Sequence, residues 1–166
     1  MITDEKLWEQ IRHGDRAAFE QFYRTQLPRL RSYLSTYLGS TTAADDIAQE
    51  AFLQLWKRPA GFDPARSGLR TYLFTIARRR AVDWWRRSCL TAENPVSPVG
   101  PKAETSVVIE DLLMKLDQDS RSLLWMREVE GYSYEELALI FEVPVGTVKS
   151  RLFTARQHLQ EMWRRR

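Results

Sequence analysis

The sequence predicts an all-α protein with an N-terminal helical bundle, a flexible linker and a C-terminal helix-turn-helix domain. Ala, Leu, Glu, Gln and Arg dominate the 166 residues, and the alternating β-branched runs typical of strands are missing. Three prolines within residues 95–101 interrupt the apolar periodicity. Residues 131–156 have the pattern of two helices joined by a tight turn. The predicted domains are residues 1–88 and 108–166, and the predicted linker is residues 89–107.

The N-terminal domain is expected to contain four helices, because its apolar residues recur at helical spacing between helix-breaking residues. Pro28 is a possible break in the second helix, since proline removes a backbone N–H from the helix interior. The first two helices are predicted at about Asp4–Arg12 and Arg16–Tyr37. The third begins after Thr41 or Thr42 and ends at Arg58, and the fourth begins after Ser67 or Gly68 and ends near Arg87.

The third predicted helix has an apolar face and a mainly polar face. The apolar face is expected to lie in the core and comprises Ile47, Ala48, Ala51, Phe52 and Leu55. The opposite face comprises Asp46, Gln49, Glu50, Leu53 and Lys57. Leu53 is an apolar residue among charges, and with Trp56 at the edge it suggests a small docking patch for a partner protein. A face that is merely solvated is the alternative.

The fourth predicted helix combines arginines with aromatic residues, which suits nucleic acid because guanidinium groups bind phosphate and rings stack on unpaired bases. Its core face is expected to comprise Leu69, Tyr72, Leu73, Ile76, Ala77 and Trp84, while Phe74, Arg78, Val82 and Trp85 point elsewhere. Arg79 can pair with Asp83 one turn later. The alternative is that the tryptophans serve only for packing.

The segment KRPAGFDPARSG, before this helix, is predicted to be a loop because of its Pro, Gly and Asp residues. It holds Phe62 and Arg66, an aromatic residue and a cation. Such a pair can receive a base flipped out of the DNA stack. Composition alone leaves open whether Phe62 instead anchors the loop.

The C-terminal pattern is typical of a DNA-reading helix-turn-helix. Ser133 and Glu136 form a capping box at the start of its first helix. The residues expected to face inward are Leu137, Ala138, Phe141, Val148, Leu152 and Ala155, with the turn at residues 142–145. The second helix begins at Thr147 or within residues 144–146. The residues left to face outward, toward the major groove, are Thr147, Lys149, Ser150, Arg151, Phe153 and Arg156. A helical hairpin without a DNA role is the alternative.

Charge is distributed unevenly along the chain, although the net charge is only +3. Residues 59–90 hold seven basic and two acidic groups, and residues 142–166 hold six and two. Two basic blocks in separate domains indicate two contacts with a polyanion. Residues 108–141 hold three basic and eight acidic groups, so they predict a solvated face or a dock for a basic partner.

The sequence gives little support for catalysis or membrane insertion. The single cysteine, Cys89, excludes an internal disulfide and a cysteine-based zinc site, and it fits a reducing cytoplasm. No apolar run is long enough to span a membrane, and no secretory signal begins the chain. The three carboxylates of DDIAQE could hint at a metal nuclease, but no further carboxylates join them. We therefore predict no catalytic site, metal or cofactor.

Three segments together resemble a bacterial sigma factor of the sigma-70 family, in its extracytoplasmic-function (ECF) group. They are DDIAQEAFLQLW at 45–56, LRTYLFTIARRRAVDWWRR at 69–87 and GYSYEELALIFEVPVGTVKSRLFTAR at 131–156. The resemblance implies that sigma regions 2 and 4 are joined by a linker that threads toward the active-site channel of RNA polymerase. It implies binding to core RNA polymerase, at the β′ clamp helices and the β flap, and to promoter DNA as duplex and melted strand. It also implies a probable anti-sigma factor as partner.

The resemblance also implies roles for individual residues. The contacts with the β′ clamp helices would be made by Asp46, Gln49, Glu50, Leu53 and Trp56. The −10 element would be captured, read and opened by Phe62, Arg66, Arg78, Arg79, Asp83, Trp85, Arg86 and Arg87. The −35 element would be read by Thr147, Lys149, Ser150, Arg151, Phe153 and Arg156. The family often has Asn where this chain has Arg79, which leaves the preferred −10 base open.

Two other classes of protein remain as alternatives. A conventional transcriptional regulator would bind duplex DNA as a dimer, without a polymerase. A DNA-processing enzyme would use the carboxylates around Asp46. Neither explains both the basic-aromatic helix and the separate helix-turn-helix.

Overall fold

The computed structural model describes residues 3–91 and 112–165, and the regular structure in these residues is entirely helical. The prediction of an all-α fold is confirmed. The chain forms two compact units, Met1–Ser97 and Pro98–Arg166. Most of the predicted linker lies outside the described residues. The helices are α1 Asp4–Arg12, α2 Arg16–Leu38, α3 Thr41–Lys57, α4 Leu69–Leu90, α5 Gln118–Glu128, α6 Tyr134–Phe141 and α7 Val145–Arg164, with a 3₁₀ turn at Pro59–Gly61.

The first unit is built on α2, α3 and α4, which pack against one another. The α2 helix is continuous through Pro28, so the possible break at this residue does not occur. Leu30 and Leu34 in the following turn are fully buried, and tertiary packing of this kind offsets a local penalty of about 3 kcal/mol for an interior proline. The helix ends at Gly39, whose φ of 66° is in the left-handed region that glycine adopts without strain.

The α4 helix is buried on more than one side, because both α2 and α3 pack against it. Phe74 was expected to point away from the core, and this prediction is wrong. It is 0% exposed, and its ring centroid lies 5.9 Å from that of Tyr33 on α2. Trp84, expected in the core, is only half-buried. The helix also runs three residues beyond Arg87, through Cys89 and Leu90.

The second unit contains the helix-turn-helix formed by α6 and α7. The capping box is present: the Ser133 hydroxyl accepts from the Glu136 N–H, and the Glu136 carboxylate accepts from the Ser133 N–H. Glu142 ends α6 with φ 56°, a left-handed conformation that makes the turn tight. The second helix begins at Val145, which lies within residues 144–146, the earlier of its two predicted starts. The residues buried in this unit include Leu123, Met126, Tyr132, Leu137, Ile140, Phe141, Val148, Leu152 and Ala155, whereas Ala138 is half-buried.

Candidate polymerase and promoter interfaces

The polar face of α3 is open to solvent. Asp46, Gln49 and Glu50 are exposed, while the apolar stripe predicted for this helix is buried. Leu53 is 51% exposed, which is unusual for a leucine on a helix whose other apolar side chains are largely covered. Trp56 is half-buried and packs on Phe19 of α2, with 4.8 Å between the ring centroids. The face therefore presents a small apolar spot bordered by carboxylates.

A basic residue of α4, Arg80, ties this face to the fourth helix. Its Nη1 donates to Oε2 of Glu50 at 2.6 Å, and its Nη2 donates to Oε1 of Gln54 at 2.9 Å. The Arg80 and Glu50 side chains are 37% and 56% exposed, so the pair lies at the surface. Sequence reasoning missed Arg80 because its partners are 26 and 30 residues away.

A groove of about 280 Å³ lies between α3 and α4. It brings Asp83 and Arg87, which were assigned to the −10 element, beside Asp46 and Glu50, which were assigned to polymerase. The predicted −10 residues on α4 therefore do not form one surface. The groove is lined by Ala43, Asp46, Ile47, Glu50, Arg80, Asp83, Trp84 and Arg87.

Other predicted −10 residues of α4 do not line this groove. Arg79 and Arg86 are exposed, and Arg78 and Trp85 are half-buried. Burial raises the pKa of the Tyr72 phenol, and the positive charge of Arg79 partly offsets this rise. Arg79 is therefore close enough to Tyr72 to act on it electrostatically.

Phe62 is an anchor of that loop. It is 6% exposed, and its ring packs edge-on against Trp8, with 4.9 Å between centroids, and at a tilt against Tyr72, with 5.3 Å between centroids. The position of a buried ring is fixed by its neighbours, so Phe62 is not exposed to stack on a base. Phe62 thus anchors the loop in this structure, and the base-capture role that the resemblance implied stays a prediction.

The rest of the loop is fixed by close contacts. A Cβ at Gly61 would lie 2.3 Å from the Tyr72 hydroxyl, so glycine permits this approach. The Asp63 carboxylate accepts from the Ala65 N–H at 2.9 Å, which closes a turn. Arg66 follows this turn and is exposed. Of the two loop residues predicted to meet DNA, Arg66 is the accessible one.

The first half of α7 presents the predicted row of outward residues. Lys149, Ser150 and Arg151 are exposed, and Phe153 is 61% exposed. Thr147 is half-buried, and its carbonyl accepts from the Ser150 hydroxyl at 3.1 Å. The opposite face of the helix is buried, as its spacing predicted. Cations, hydroxyls and one aromatic ring therefore share a face that fits a major groove.

Arg156 differs from the other residues of this row. Its Nη2 donates to Oε1 of Glu128 on α5 at 2.5 Å, and the side chain is half-buried. The hydrogen bond that Arg156 donates to the Glu128 carboxylate raises the pKa of Arg156, with a smaller contribution from Tyr134. Arg156 was expected to face outward; its side chain is 43% exposed and also links α7 to α5, so its role at the −35 element stays a prediction.

The carboxylates of DDIAQE do not converge. Asp45 accepts two hydrogen bonds from Arg31 on α2, from Nε at 2.5 Å and from Nη2 at 3.0 Å. Among residues 3–91 and 112–165, no three His, Cys, Asp or Glu side chains are grouped so as to hold a metal ion. None of the helices described is both long and apolar enough to cross a membrane.

Known protein families and curated relatives match both helical units of the chain. Residues 22–89 match Sigma-70 region 2, and residues 106–159 match Sigma-70, region 4. The ECF RNA polymerase sigma-E factor of Escherichia coli K12 is 32% identical, over 94% of this chain and 92% of that protein. The RNA polymerase sigma-H factor of Pseudomonas aeruginosa is 29% identical, over 95% and 92%.

Solved structures also resemble this chain over most of its length. CnrH, in complex with the cytosolic domain of CnrY, superposes with a TM-score of 0.75 and 25% identity, over 96% of both chains. RpoE of Bartonella quintana, in complex with the anti-sigma factor NepR, gives 0.71 and 26%, over 88% of this chain and 96% of that one.

Helical units that carry sigma regions 2 and 4 define a transcription initiation factor. The chain belongs to the sigma-70 family, in its ECF group, and it serves promoter recognition and transcription initiation. Sigma factors of this family are initiation subunits without a catalytic role.

Proposed function

We propose that the chain binds core RNA polymerase and places it at promoters through separate contacts with the −35 and −10 elements. The observation that carries the −35 contact is the exposed row Lys149, Ser150, Arg151 and Phe153 on the second helix of a helix-turn-helix. A cation on such a helix holds a guanine edge or a phosphate, and the Phe153 ring can meet a thymine methyl. Thr147 lies at the start of this row. Arg156 lies further along the same helix and is paired with Glu128 of α5.

Core polymerase would dock on the exposed face of α3, through its β′ clamp helices. Leu53 and the edge of Trp56 supply the apolar contact, and Asp46, Gln49 and Glu50 supply charge and hydrogen bonds around it. An apolar residue inside a polar rim is the usual anatomy of a protein interface. The second unit would meet the β flap.

Opening of the −10 element would depend on α4 and the loop before it. Arg66, Arg79 and Arg86 are exposed cations able to hold the phosphates of a melted strand, and Trp85 is a half-buried ring on the same helix as Arg79 and Arg86. Arg78 is half-buried on the same helix. Asp83 and Arg87 line the groove shared with α3, which supports a role for them where the proposed DNA and polymerase contacts meet.

The remaining parts of the proposal concern partners and chemistry. CnrH was solved with the cytosolic domain of CnrY, and RpoE of Bartonella quintana was solved with the anti-sigma factor NepR. We extend this to an anti-sigma factor for the present chain. Nucleotide addition belongs to the polymerase, and this chain, acting in the cytoplasm, supplies position and strand opening without a catalytic group, metal or cofactor.

Reconstituted transcription tests the proposal. The full chain is mixed with sigma-free bacterial core polymerase and a library of upstream DNA fragments, and the transcripts are sequenced. We expect discrete start sites that share motifs at −35 and −10. Arg151→Ala should shift the preference at −35, by about 1–3 kcal/mol at one base pair if Arg151 holds a base edge. Arg12→Ala on α1 removes the same charge from another exposed site and should leave the motifs unchanged.

Two results would refute the proposal. The chain would be a conventional regulator if it failed to bind core polymerase but bound a palindromic duplex tightly by itself. It would be a DNA-processing enzyme if it cleaved DNA in the presence of a divalent metal and Asp46→Ala abolished cleavage.

A further inference from the structure

Tyr134, the first residue of α6, lies at the meeting point of three helices. The guanidinium carbon of Arg127 on α5 lies 4.6 Å from the centroid of its ring. The ammonium nitrogen of Lys149 on α7 lies 5.7 Å from the same centroid. Its hydroxyl oxygen accepts a hydrogen bond from Arg156, which also belongs to α7. One aromatic side chain thus contacts cations from both neighbouring helices of the unit.

These contacts bear on the direction in which Lys149 points. Lysine has four rotatable bonds, and an exposed lysine ammonium is ordinarily spread over many rotamers. A ring within about 6 Å attracts the ammonium and favours the subset of rotamers that lie over it. Tyr134 is itself held at the capped end of α6, since Ser133 and Glu136 fix the backbone on either side of it. A fixed ring can therefore restrict a mobile side chain.

The other two cations hold the ring in place. Arg127 is half-buried, and its Nη1 donates to the carbonyl of Tyr132 at 2.6 Å, so its position is set by the backbone that leads into α6. Arg156 is paired with Glu128 on α5 at 2.5 Å. Of the three cations around the ring, Lys149 is the one that is exposed and lies within the row assigned to −35 DNA.

We propose that Tyr134 is a positioning residue of the −35 interface, whose ring pre-orients the Lys149 ammonium for DNA. This inference rests on the proposed function, because it assumes that Lys149 meets the promoter. Tyr134 acts through Lys149 and is not assigned a base contact of its own. Since the ring and not the hydroxyl orients Lys149, phenylalanine should replace tyrosine and leucine should not.

The first experiment tests the orientation without DNA. In the full chain, an aromatic ring shifts the NMR resonances of the Lys149 ε-methylene protons through its ring current. We expect this shift in the wild type and in Tyr134→Phe, and its loss in Tyr134→Leu. Ordinary lysine ε-methylene shifts in the wild type would overturn the inference and leave the proposed function standing.

The second experiment measures −35 duplex binding of the holoenzyme in a double-mutant cycle. Tyr134→Leu should weaken binding about two- to fivefold, as the loss of an exposed cation–π contact implies. If the Lys149 ammonium contacts a phosphate, Tyr134→Leu should also make the slope of log affinity against log salt concentration less steep, by at most the contribution of one phosphate contact. The Tyr134→Leu/Lys149→Ala variant should bind no more weakly than Lys149→Ala alone. Tyr134→Phe should keep the wild-type affinity and slope.

The controls separate positioning from folding. Leu139→Ala alters a partly exposed apolar residue of the same helix and should change neither the affinity nor the salt slope. Additive losses from Tyr134→Leu and Lys149→Ala would overturn the inference, because independent effects show no coupling. If Lys149→Ala itself leaves −35 binding unchanged, the assignment of Lys149 to DNA is wrong and the inference fails with it.

Discussion

Replacing Phe62 with alanine distinguishes a loop anchor from a base-binding residue. The ring is 6% exposed and contacts the rings of Trp8 and Tyr72. Truncation of a buried phenylalanine costs about 3–5 kcal/mol, part of it from the cavity that remains. Phe62 lies in a loop that can partly collapse, so we expect the lower end, about 3 kcal/mol. For a unit of this size, that corresponds to a fall in melting temperature of roughly 12–24 °C.

Hydrogen exchange of the full chain, followed by mass spectrometry of peptides, provides the assay. Phe62→Ala should increase exchange throughout the first unit, because global opening of that unit becomes easier. Peptides from residues 112–165 serve as an internal control and should be unchanged. Arg66→Ala is the matched control in the same loop. It should leave exchange unchanged and weaken opening of the −10 element, since Arg66 is exposed.

One result would refute this reasoning. If Phe62→Ala left the exchange of the first unit at the wild-type level and abolished promoter opening, Phe62 would be a base-contacting residue. Its burial would then describe the free chain and not the chain on a promoter.

Three further predictions concern the other surfaces. Leu53→Asp should weaken core polymerase binding in a fluorescence titration. The far-UV circular dichroism should keep its helical signal, because Leu53 is half exposed. Loss of the helical signal would show that Leu53 belongs to the core. Arg80→Ala should change the free energy of unfolding of the first unit, measured in urea, by at most about 1 kcal/mol, because an exposed ion pair contributes little. A loss of about 3 kcal/mol or more, which is the cost of breaking a buried pair, would contradict this prediction. Burial raises the pKa of Asp117, the N-cap of α5, but hydrogen bonds from Ser120 outweigh it, so the pKa is lowered. The carboxylate therefore stabilises the second unit above its unfolded pKa of about 3.9, and this stabilisation is lost as pH falls through the folded pKa; the stability difference between wild type and Asp117→Asn should be constant above that pH and should shrink as the pH falls through the folded pKa.

Residue spacing predicted the fold well wherever a helix buries a single face. The stripe from Ile47 to Leu55 on α3 and the inward residues of α7 are buried as expected, because both helices have one solvent-facing side. Phe74 was misjudged because the buried residues of α4, which include Thr71, Leu73 and Phe74, extend around more of the helix than a single apolar stripe covers. Ile140 was missed beside the correctly predicted Leu137 and Phe141 for a related reason, since α6 is short and packs between its neighbours.

Contacts between distant residues could not be predicted from one sequence. Arg80 meets Glu50 across 30 residues, Arg156 meets Glu128 across 28, and the Asp4 carboxylate accepts from the Leu69 N–H across 65. Helical periodicity reports neighbours three or four positions apart and carries no information on such pairs. Phe62 and Arg156 are the site residues whose surroundings differ most from the expectation, and both differ because of contacts with residues that are distant in sequence. Residues placed by local geometry alone, such as Lys149 and Leu53, kept the exposure that was expected.

The groove between α3 and α4 shows how the proposed docking and opening surfaces are connected. Glu50 belongs to the candidate polymerase face and also holds Arg80, which lies on the helix proposed to open DNA. Because this exposed pair is worth at most about 1 kcal/mol, a basic group of the polymerase could replace Arg80 at Glu50 at little cost. Arg80 would then be available beside Asp83 and Arg87, at the border of the promoter contact. The same packing that completes the helical bundle thus brings charges of the proposed polymerase surface and of the proposed DNA surface within reach of each other, and neither surface is expected to respond to mutation independently of the other.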